Sequence, residues 1–376
     1  MPILGSSLEQ LRATRTSVKW RLYPDDVIPV WVAEMDSAAC PAVLDAVTDA
    51  LRRGDTGYSW GPPLVAAFTD FARRRWGWWV DPADVMQVPD VMLGIQEVLL
   101  ARVPAGAAVV VSPPVYEAFF GFIASNRRRL VQSPLNALGR LDLEALDRGF
   151  VEAGPGSAYL LCNPQNPTGT VHSPQELAAV AELADAREVL VISDEIHAPL
   201  TQPGVRFTPY LSLPEAARGL ALVSGSKAWN LAGLKTALLV AGPETGPRGV
   251  GTVAGLHEVV THGAQHLAVI AQTAAYEHGE PWLDELLGEL AQRRALLRTL
   301  LAEHLPGVVV HPAEATFLAW LDCTALGLSD PAATFLEHKV AVASGVRYDP
   351  GAVQRVRLNL ATSEEVLTEA VRRMAG

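Results

Sequence analysis

The sequence predicts an α/β protein with a mainly parallel sheet, followed by a smaller α+β part. Apolar runs of strand length recur and are separated by helical patterns; they lie at 107–112, 157–162, 188–193, 219–225 and 234–242. Near-continuous apolar strands are typical of parallel sheets, because those strands are buried on both faces. Strands that alternate with helices predict right-handed strand–helix–strand crossovers.

The clearest helical pattern lies at 173–188. Ser173 can cap this helix, and Pro174 suits the first helical position. Glu176 stands three residues after Ser173 and completes a capping box. The pattern therefore predicts a helix that crosses between the strands at 157–162 and 188–193.

The sequence changes in character after about residue 255. A long helical pattern at 282–305 precedes short strand patterns at 316–322 and 354–361, which predicts a smaller α+β domain. The N-terminal residues show little periodicity and could pack against either part. We expect an N-terminal segment that packs with the small domain (1–45), a large domain (46–255) and a small domain (256–376).

Composition and charge narrow the classes of function. The chain has 376 residues and a formal net charge of -11, so nucleic acid is not an expected partner. Its three cysteines (Cys40, Cys162 and Cys323) are widely separated, which favours neither a disulfide framework nor a metal site. The first residues lack a secretory signal pattern, and no apolar stretch reaches the roughly 18 residues that span a bilayer. We expect a cytoplasmic protein with no membrane partner.

Several common ligand motifs do not occur in the sequence. The glycine-containing stretch at 246–255 lacks the GxGxxG spacing, and no GxxxxGK[ST] or GxSxG motif is present. The nine histidines have neither an HExxH motif nor another paired metal-ligand spacing, so no metal is expected.

Four polar stretches lie at the carboxyl ends of predicted strands or in the loops beyond them, where open α/β sheets bind ligands. They are CNPQNPTGTV (162–171), SDEIHAPL (193–200), SGSKAWNLAGLK (224–235) and RVRLNLA (355–361). Each stretch also has an ordinary explanation: a polar turn, a solvated acidic pair, a surface lysine or an edge-strand salt bridge.

The side chains of these stretches suit a ligand. Asp194 and Glu195 point in opposite directions at a strand end, so one carboxylate can face a cleft. Lys227 follows small residues that can hold a phosphate, and a desolvated lysine has a lowered pKa and can react with a carbonyl. Arg355 and Arg357 share one face of a strand, and a guanidinium can bind a carboxylate through two hydrogen bonds.

Together, and in this order, the four stretches resemble the fold-type I pyridoxal-phosphate enzymes of the aminotransferase class I/II superfamily. The matching residues are the NPTG turn at 166–169, Asp194, Lys227 with Lys235, and Arg357. A narrower resemblance is to the MalY/PatB-type cystathionine β-lyases, and it extends to VKW (18–20), WVAEMDS (31–37), GYSW (57–60) and PPVYEAF (113–119). The resemblance implies an aspartate aminotransferase-like fold with a mainly parallel seven-stranded sheet.

The resemblance also implies roles at the cofactor. Lys227 would bind pyridoxal 5'-phosphate covalently and move the substrate α-proton. Asp194 would pair with the pyridinium nitrogen, and Tyr116 would stack on the ring. Asn166 would hydrogen-bond the ring 3-oxygen, with His197 near it.

Further roles concern the phosphate and the substrate. The phosphate would be held by Ser224, Ser226, Lys235 and the backbone amides near Val91 and Met92. Tyr58 would reach the phosphate of a neighbouring subunit, which implies a homodimer with shared active sites. Arg357 would bind the substrate α-carboxylate, and Asn163 is a further predicted substrate-binding residue.

The implied reaction is β-elimination from an amino acid. Lys227 would remove the α-proton, a thiolate would leave from the β-carbon, and pyruvate and ammonia would follow. The first candidate is a carbon–sulfur β-lyase acting on cystathionine or a related cysteine S-conjugate. An aminotransferase is the runner-up, because it shares every step up to removal of the proton. A specialised biosynthetic lyase and a non-catalytic regulatory relative are further alternatives.

Overall fold

The computed structural model describes residues 2–245, 260 and 262–376. The glycine-containing stretch at 246–255 and the predicted boundary between the large and small domains lie outside the described residues. The described strands are β1 (Ile28–Pro29), β2 (Val85–Val88), β3 (Ala108–Val111), β4 (Arg129–Gln132), β5 (Ala158–Cys162), β6 (Leu190–Asp194), β7 (Leu220–Val223), β8 (Ala237–Ala241), β9 (Val309–Val310), β10 (Leu318–Asp322), β11 (Val340–Ala341), β12 (Ala343–Ser344) and β13 (Arg355–Asn359).

Helices surround these strands. The described α-helices are α1 (Leu8–Thr14), α2 (Val18–Arg21), α3 (Pro41–Arg53), α4 (Pro62–Trp76), α5 (Val91–Arg102), α6 (Ala118–Ser125), α7 (Leu143–Ala153), α8 (Pro174–Ala186), α9 (His266–His278), α10 (Glu280–His304), α11 (Pro331–Glu337) and α12 (Glu364–Met374). In the part of the chain that the structure describes, no helix combines the length and the apolar character needed to cross a membrane.

The largest sheet has seven strands in the order β2-β8-β7-β6-β5-β3-β4. Its neighbouring strands are parallel except where β8 pairs with β2 and β7, which it meets antiparallel. Strands β3, β5 and β7 are buried along their whole length, which explains why they read as apolar runs in the sequence. The predicted mainly parallel seven-stranded sheet is confirmed.

The register of this sheet brings two of the predicted polar stretches side by side. Cys162, the last residue of β5, pairs with Asp194, the last residue of β6. Asp194 in turn pairs with Leu222 near the end of β7. The residues that follow these three strands therefore emerge at one edge of the sheet.

Helix α8 matches the capped helix that the sequence predicts. The Ser173 hydroxyl accepts a hydrogen bond from the Glu176 amide at 3.2 Å, and the Glu176 carboxylate accepts from the Ser173 amide at 2.8 Å. The capping box is therefore confirmed. The helix itself is shorter than the predicted range, because it ends at Ala186.

The C-terminal part contains a four-stranded antiparallel sheet in the order β12-β13-β10-β9. Its strands β10 and β13 match the strand patterns at 316–322 and 354–361. The long helical pattern is helix α10, which has 25 residues and buries a row of leucines.

The N-terminal residues contact this C-terminal part at several points. Strand β1 pairs in parallel with β11. The amides of Ile3 and Leu4 donate to Glu289 of α10 at 2.6 and 2.8 Å, and the Asp36 amide donates to the Ala361 carbonyl at 2.9 Å. These contacts agree with the expected packing, while the exact division into three parts stays a prediction.

Two helical glycines give a test of how closely α5 packs on the sheet. A Cβ at Gly94 would lie 2.6 Å from Leu222 Cδ2 and 3.1 Å from Val88 Cγ2, whereas a Cβ at Gly121 of α6 would meet no atom within 4 Å. We expect Gly94→Ala to lower the free energy of unfolding by about 1 kcal/mol, because overpacking outweighs the gain in helix propensity.

Gly121→Ala is the matched control, and we expect it to raise that free energy by about 0.5–1 kcal/mol. Urea unfolding of the cofactor-free protein, followed by circular dichroism, measures both changes. A Gly94→Ala variant more stable than the unchanged protein would contradict the close packing of α5.

Candidate active site

A cavity of about 130 Å³ opens at the carboxyl ends of the central strands. Its walls contain most of the predicted cofactor residues, namely Val91, Met92, Tyr116, Asn166, Asp194, His197, Ser224, Ser226, Lys227 and Lys235. The same walls contain residues that the sequence did not single out, namely Ala33, Asp90, Cys162, Ile196, Ala232, Leu234 and Thr236. The structure therefore brings three of the four predicted polar stretches to one cavity.

Lys227 lies in the tight turn that follows β7. The Ser226 amide donates to Ser224 Oγ at 3.2 Å, and this bond helps to shape the turn. Lys227 Nζ donates to the Ala33 carbonyl at 2.9 Å. Burial, and then the charge of Arg357, lower the pKa of Lys227 to about 8, while Asp194 opposes the change. Part of this amine is therefore neutral near physiological pH, as a nucleophile or base requires.

Asp194 ends β6 and faces the same cavity. Its side chain is 5% exposed, and its Oδ1 accepts from the Ile196 amide at 3.1 Å. Burial raises the pKa of Asp194 to about 6, although the Ile196 amide and the charge of Lys227 act to lower it. A cation placed beside this carboxylate would therefore be strongly favoured.

Glu195 points away from the cavity, as the alternation of a strand requires. Its Oε1 accepts from Asn163 Nδ2 at 3.1 Å, from the Ser193 hydroxyl at 3.0 Å and from the Tyr210 amide at 2.7 Å. Burial raises the pKa of Glu195 to about 7. This carboxyl group is held by local hydrogen bonds and belongs to the packing behind the sheet.

The turn after β5 places Asn166 in the cavity wall. The Gln165 amide donates to the Thr170 carbonyl at 2.9 Å, and the Gly169 amide donates to the Gln165 carbonyl at 2.8 Å. Gly169 has a φ of 73°, and a Cβ there would lie 2.7 Å from Ala313 Cβ. A glycine is therefore required both for the turn and for its close approach to the C-terminal part.

Two rings complete the wall around Asn166. His197 is 3% exposed, and its Nδ1 has no hydrogen-bond partner among the described residues. Burial and the charges of Lys227 and Arg357 hold the pKa of His197 well below its usual range, so the ring is neutral. Burial and the neighbouring carboxylates raise the pKa of Tyr116 to about 12, so its phenol stays protonated.

One end of the cavity carries the features of an anion site. Helix α5 begins there, and Asp90 caps it by accepting from the Leu93 amide at 2.8 Å. The positive end of a helix favours a phosphate, and the Ser224 and Ser226 side chains lie on the same wall. Lys235 Nζ lies 3.4 Å from Asp90 Oδ2, which directs the ammonium group to this end. Sequence reasoning missed Asp90, although an Asp before a helical pattern is a cap signal.

Arg357 lies beside the cavity and touches its wall through Asn166. Its side chain is 3% exposed; Nη1 donates to Asn166 Oδ1 at 3.1 Å, and Nη2 donates to the Trp31 carbonyl at 3.1 Å. The Tyr348 ring stacks on the guanidinium at 4.6 Å, and Glu117 lies 3.7 Å from Nη1. The guanidinium is thus held in one orientation with its charge only partly balanced.

Arg355, on the same face of β13, is placed differently. Its guanidinium pairs with Asp322 at 3.0 Å and is 41% exposed. The two arginines of one strand therefore separate into a surface salt bridge and a buried cation at the site.

Two predicted residues do not join the cavity. Asn163 is fully buried, and its Nδ2 donates to Glu195 and to the Thr208 carbonyl, both at 3.1 Å. The first Asn of the turn therefore faces the packing behind the sheet, and we no longer assign it to the substrate. Tyr58 is 93% exposed and lies outside the cavity walls.

The arrangement can hold a planar, anionic, nitrogen-containing group. A partly neutral amine and a buried carboxylate face the middle of the cavity, and a helix start with an ammonium group receives a negative charge at one end. A buried guanidinium beside the wall can bind a second carboxylate.

Comparison with known proteins agrees with this geometry. The family model for aminotransferase class I and II matches residues 39–374. A Mycobacterium leprae protein provisionally named a cystathionine beta-lyase is 47% identical, over 99% of this chain and 97% of that protein. The cystathionine beta-lyase of Corynebacterium glutamicum is 34% identical over 98% of each chain.

A solved structure is similar over the whole chain. A Corynebacterium diphtheriae protein, provisionally described as a PLP-dependent beta-cystathionase, superposes with a TM-score of 0.93 at 35% identity, covering 99% of this chain and 98% of that one. The match of the family model over most of the sequence, together with these relatives, shows that the chain belongs to the aminotransferase class I and II family.

Proposed function

We propose that this chain is a pyridoxal-phosphate-dependent carbon–sulfur β-lyase. It would cleave L-cystathionine or a related cysteine S-conjugate to a thiol, pyruvate and ammonia. Relatives named as cystathionine beta-lyases, at 34% and 47% identity, support this reaction. The observation that carries the proposal is that Lys227 and Asp194 face one buried cavity, with Arg357 beside it.

The residues present fit the cofactor. Asp194 is a buried carboxylate whose raised pKa marks the want of a cationic partner, which a protonated pyridine nitrogen would supply. His197 Nδ1, without a partner in the described part of the chain, faces the same site. The start of α5 and Lys235 suit the phosphate. We therefore assign the cofactor to this cavity.

The roles of the side chains follow from their positions. When bound, pyridoxal phosphate supplies an aldehyde that captures amines and a ring that accepts an electron pair from the substrate α-carbon. Arg357 binds the α-carboxylate through two parallel hydrogen bonds and so fixes the substrate next to Lys227. Lys227 Nζ takes the α-proton, and the thiolate leaves from the β-carbon with the electron pair of the C–S bond.

An aminotransferase is the second candidate, and the family model that matches the chain carries that name. Both reactions need the same amine, the same carboxylate and the same guanidinium. They differ only in whether a β-substituent leaves or the proton returns to the cofactor. A specialised biosynthetic lyase would use the same residues on a different S-conjugate.

A homodimer with shared sites belongs to this proposal. Tyr58 is 93% exposed and Trp60 is 68% exposed, which is unusual for two large rings in one short loop. Leu93 on the first turn of α5, beside the cavity wall, is also 41% exposed. A second copy that covers this surface would bring its own Tyr58 to the phosphate end of the cavity.

We also propose that the protein works in the cytoplasm. Cys40, Cys162 and Cys323 are all buried and free. Free buried thiols are typical of proteins from a reducing compartment.

A parallel assay distinguishes the two reactions. With L-cystathionine and pyridoxal phosphate, we expect the purified protein to release pyruvate and free thiol in equal amounts without any added oxo acid. Lys227→Ala should release neither, because both the attachment point and the base are lost. Lys339→Ala is the control, since Lys339 pairs with Asp26 at the surface. Glutamate that forms only with added 2-oxoglutarate, without thiol, would identify an aminotransferase instead.

The proposed carboxylate clamp predicts a difference between two arginines of one strand. Arg357→Gln should raise KM for the amino acid by about 10- to 100-fold, because a substrate carboxylate would lose its charged partner. Cofactor binding should change little. Arg355→Gln, which removes only the surface pair with Asp322, should leave KM unchanged. Equal KM values in the two variants would exclude Arg357 as the clamp.

The shared site predicts complementation between two inactive proteins. Tyr58→Phe and Lys227→Ala are mixed under conditions that let subunits exchange. Each mixed dimer would contain one complete site, so about a quarter of the full activity should return. Activity no higher than the mean of the two separate proteins would show that Tyr58 does not serve a partner's site.

A further inference from the structure

Residues 31–36, here called the strap, cross the candidate site between its two buried cations. The Trp31 carbonyl accepts from Arg357 Nη2 at 3.1 Å, and the Ala33 carbonyl accepts from Lys227 Nζ at 2.9 Å. Both acceptors are backbone groups, so their positions follow the path of the strap. The orientations of Lys227 and Arg357 therefore depend on where the strap lies.

Two asparagines hold the middle of the strap. Asn230 forms two hydrogen bonds with Met35, one to its amide and one to its carbonyl, each 2.9 Å long. Asn359 Nδ2 donates to the carbonyls of Val32 at 2.8 Å and Glu34 at 2.6 Å. These bonds tie the strap to both the large sheet and the small one.

A buried ion pair anchors the far end of the strap. Lys19 Nζ lies 2.8 Å from Asp36 Oδ2, and the two side chains are 0% and 1% exposed. Lys19 Nζ also donates to the Glu34 carbonyl at 3.0 Å, and Trp20 Nε1 donates to Asp36 Oδ1 at 2.9 Å. The VKW and WVAEMDS motifs of the sequence meet in this one cluster.

Neither member of the pair lines the cavity. A buried ion pair is weak evidence for stability, because well-packed apolar residues often serve as well. What such a pair provides is one arrangement that satisfies both charges, and hence one path for the backbone between them. That property is useful where backbone carbonyls must meet two catalytic cations.

We propose that the Lys19–Asp36 pair is a positioning element of the active site, which fixes the strap so that its carbonyls orient Lys227 and Arg357. This inference rests on the proposed role of Lys227 as the cofactor lysine. Lys19 and Asp36 act through the strap and touch neither cofactor nor substrate.

The test uses the full-length protein without cofactor and a variant that removes both charges. Lys19→Met with Asp36→Asn leaves no unpaired buried charge and keeps an acceptor for Trp20. Asp36→Asn alone is the milder second variant if the double variant does not fold. Glu289→Gln is the matched control, because Glu289 fixes Ile3 and Leu4 to α10 and makes no contact with the strap.

The first measurement is hydrogen–deuterium exchange of the peptides that cover 31–36. We expect exchange to become about tenfold faster or more in the double variant, since the strap loses one anchor. The Glu289→Gln control should keep the exchange rate of the unchanged protein. An unchanged rate in a folded pair variant would overturn the proposal.

The second measurement is the rate of pyridoxal phosphate attachment to the cofactor-free protein as a function of pH. Only the neutral amine attacks, so the midpoint reports the pKa of Lys227, which is about 8 in the unchanged protein. Burial is the largest cause of this lowered pKa; Arg357, Lys235, Asp194 and Glu117 add smaller charge effects, and neutral His197 lies on the same wall. A loosened strap admits water, so the midpoint should rise by about half a pH unit or more in the variant.

The outcomes separate the two proposals. Faster strap exchange with a raised midpoint supports the positioning role. Faster exchange with an unshifted or lowered midpoint overturns it, because the strap would then move without affecting Lys227. If Lys227→Ala attaches the cofactor as fast as the unchanged protein, the proposed function fails first. A normal profile in the unchanged protein with none of the expected shifts overturns only the strap proposal.

Discussion

The removal of charged groups from water at one edge of the central sheet is the constraint on which the site depends. Burial alone would neutralise Lys227 and Asp194, and their pKa values of about 8 and 6 record that tendency. Each charge is therefore supported by a fixed dipole: the Ala33 carbonyl for the amine, and the Ile196 amide for the carboxylate. A site of this kind holds its groups between two protonation states, ready for a reaction that moves a proton.

The order of strands explains why such different segments meet. Parallel strands β5, β6 and β7 release their loops at the same edge, so Asn166, Asp194 and Lys227 converge although they are far apart in the sequence. Helix α5 enters at that edge because Gly94 lets it pack close to Leu222. The small sheet then supplies Arg357 from β13, which places a substrate group at the junction of the two sheets.

Local patterns predicted the fold and much of the cavity, because strand ends and turn residues are encoded within a few positions. The capping box of α8, the buried strands and the face of Asp194 are of this kind. The missed contacts join distant parts of the chain: Ala33 meets Lys227, and the Tyr348 ring supports Arg357 from a loop outside the strand. Asn163 was placed wrongly because the side-chain directions within a tight turn do not follow from its residue types.

The pairing of β1 with β11 joins the first residues of the chain to some of the last. During synthesis, the parallel core strands leave the ribosome long before residues 340–341 are made. The cofactor cavity can therefore take shape on a partly synthesised chain, whereas the strap lacks its Asn359 partner until the C-terminal sheet is complete. Contacts of such long sequence separation form late, and the entropic cost of closing these loops falls on the last stage of folding. The chain thus acquires its means of binding a cofactor before it acquires its means of selecting a substrate.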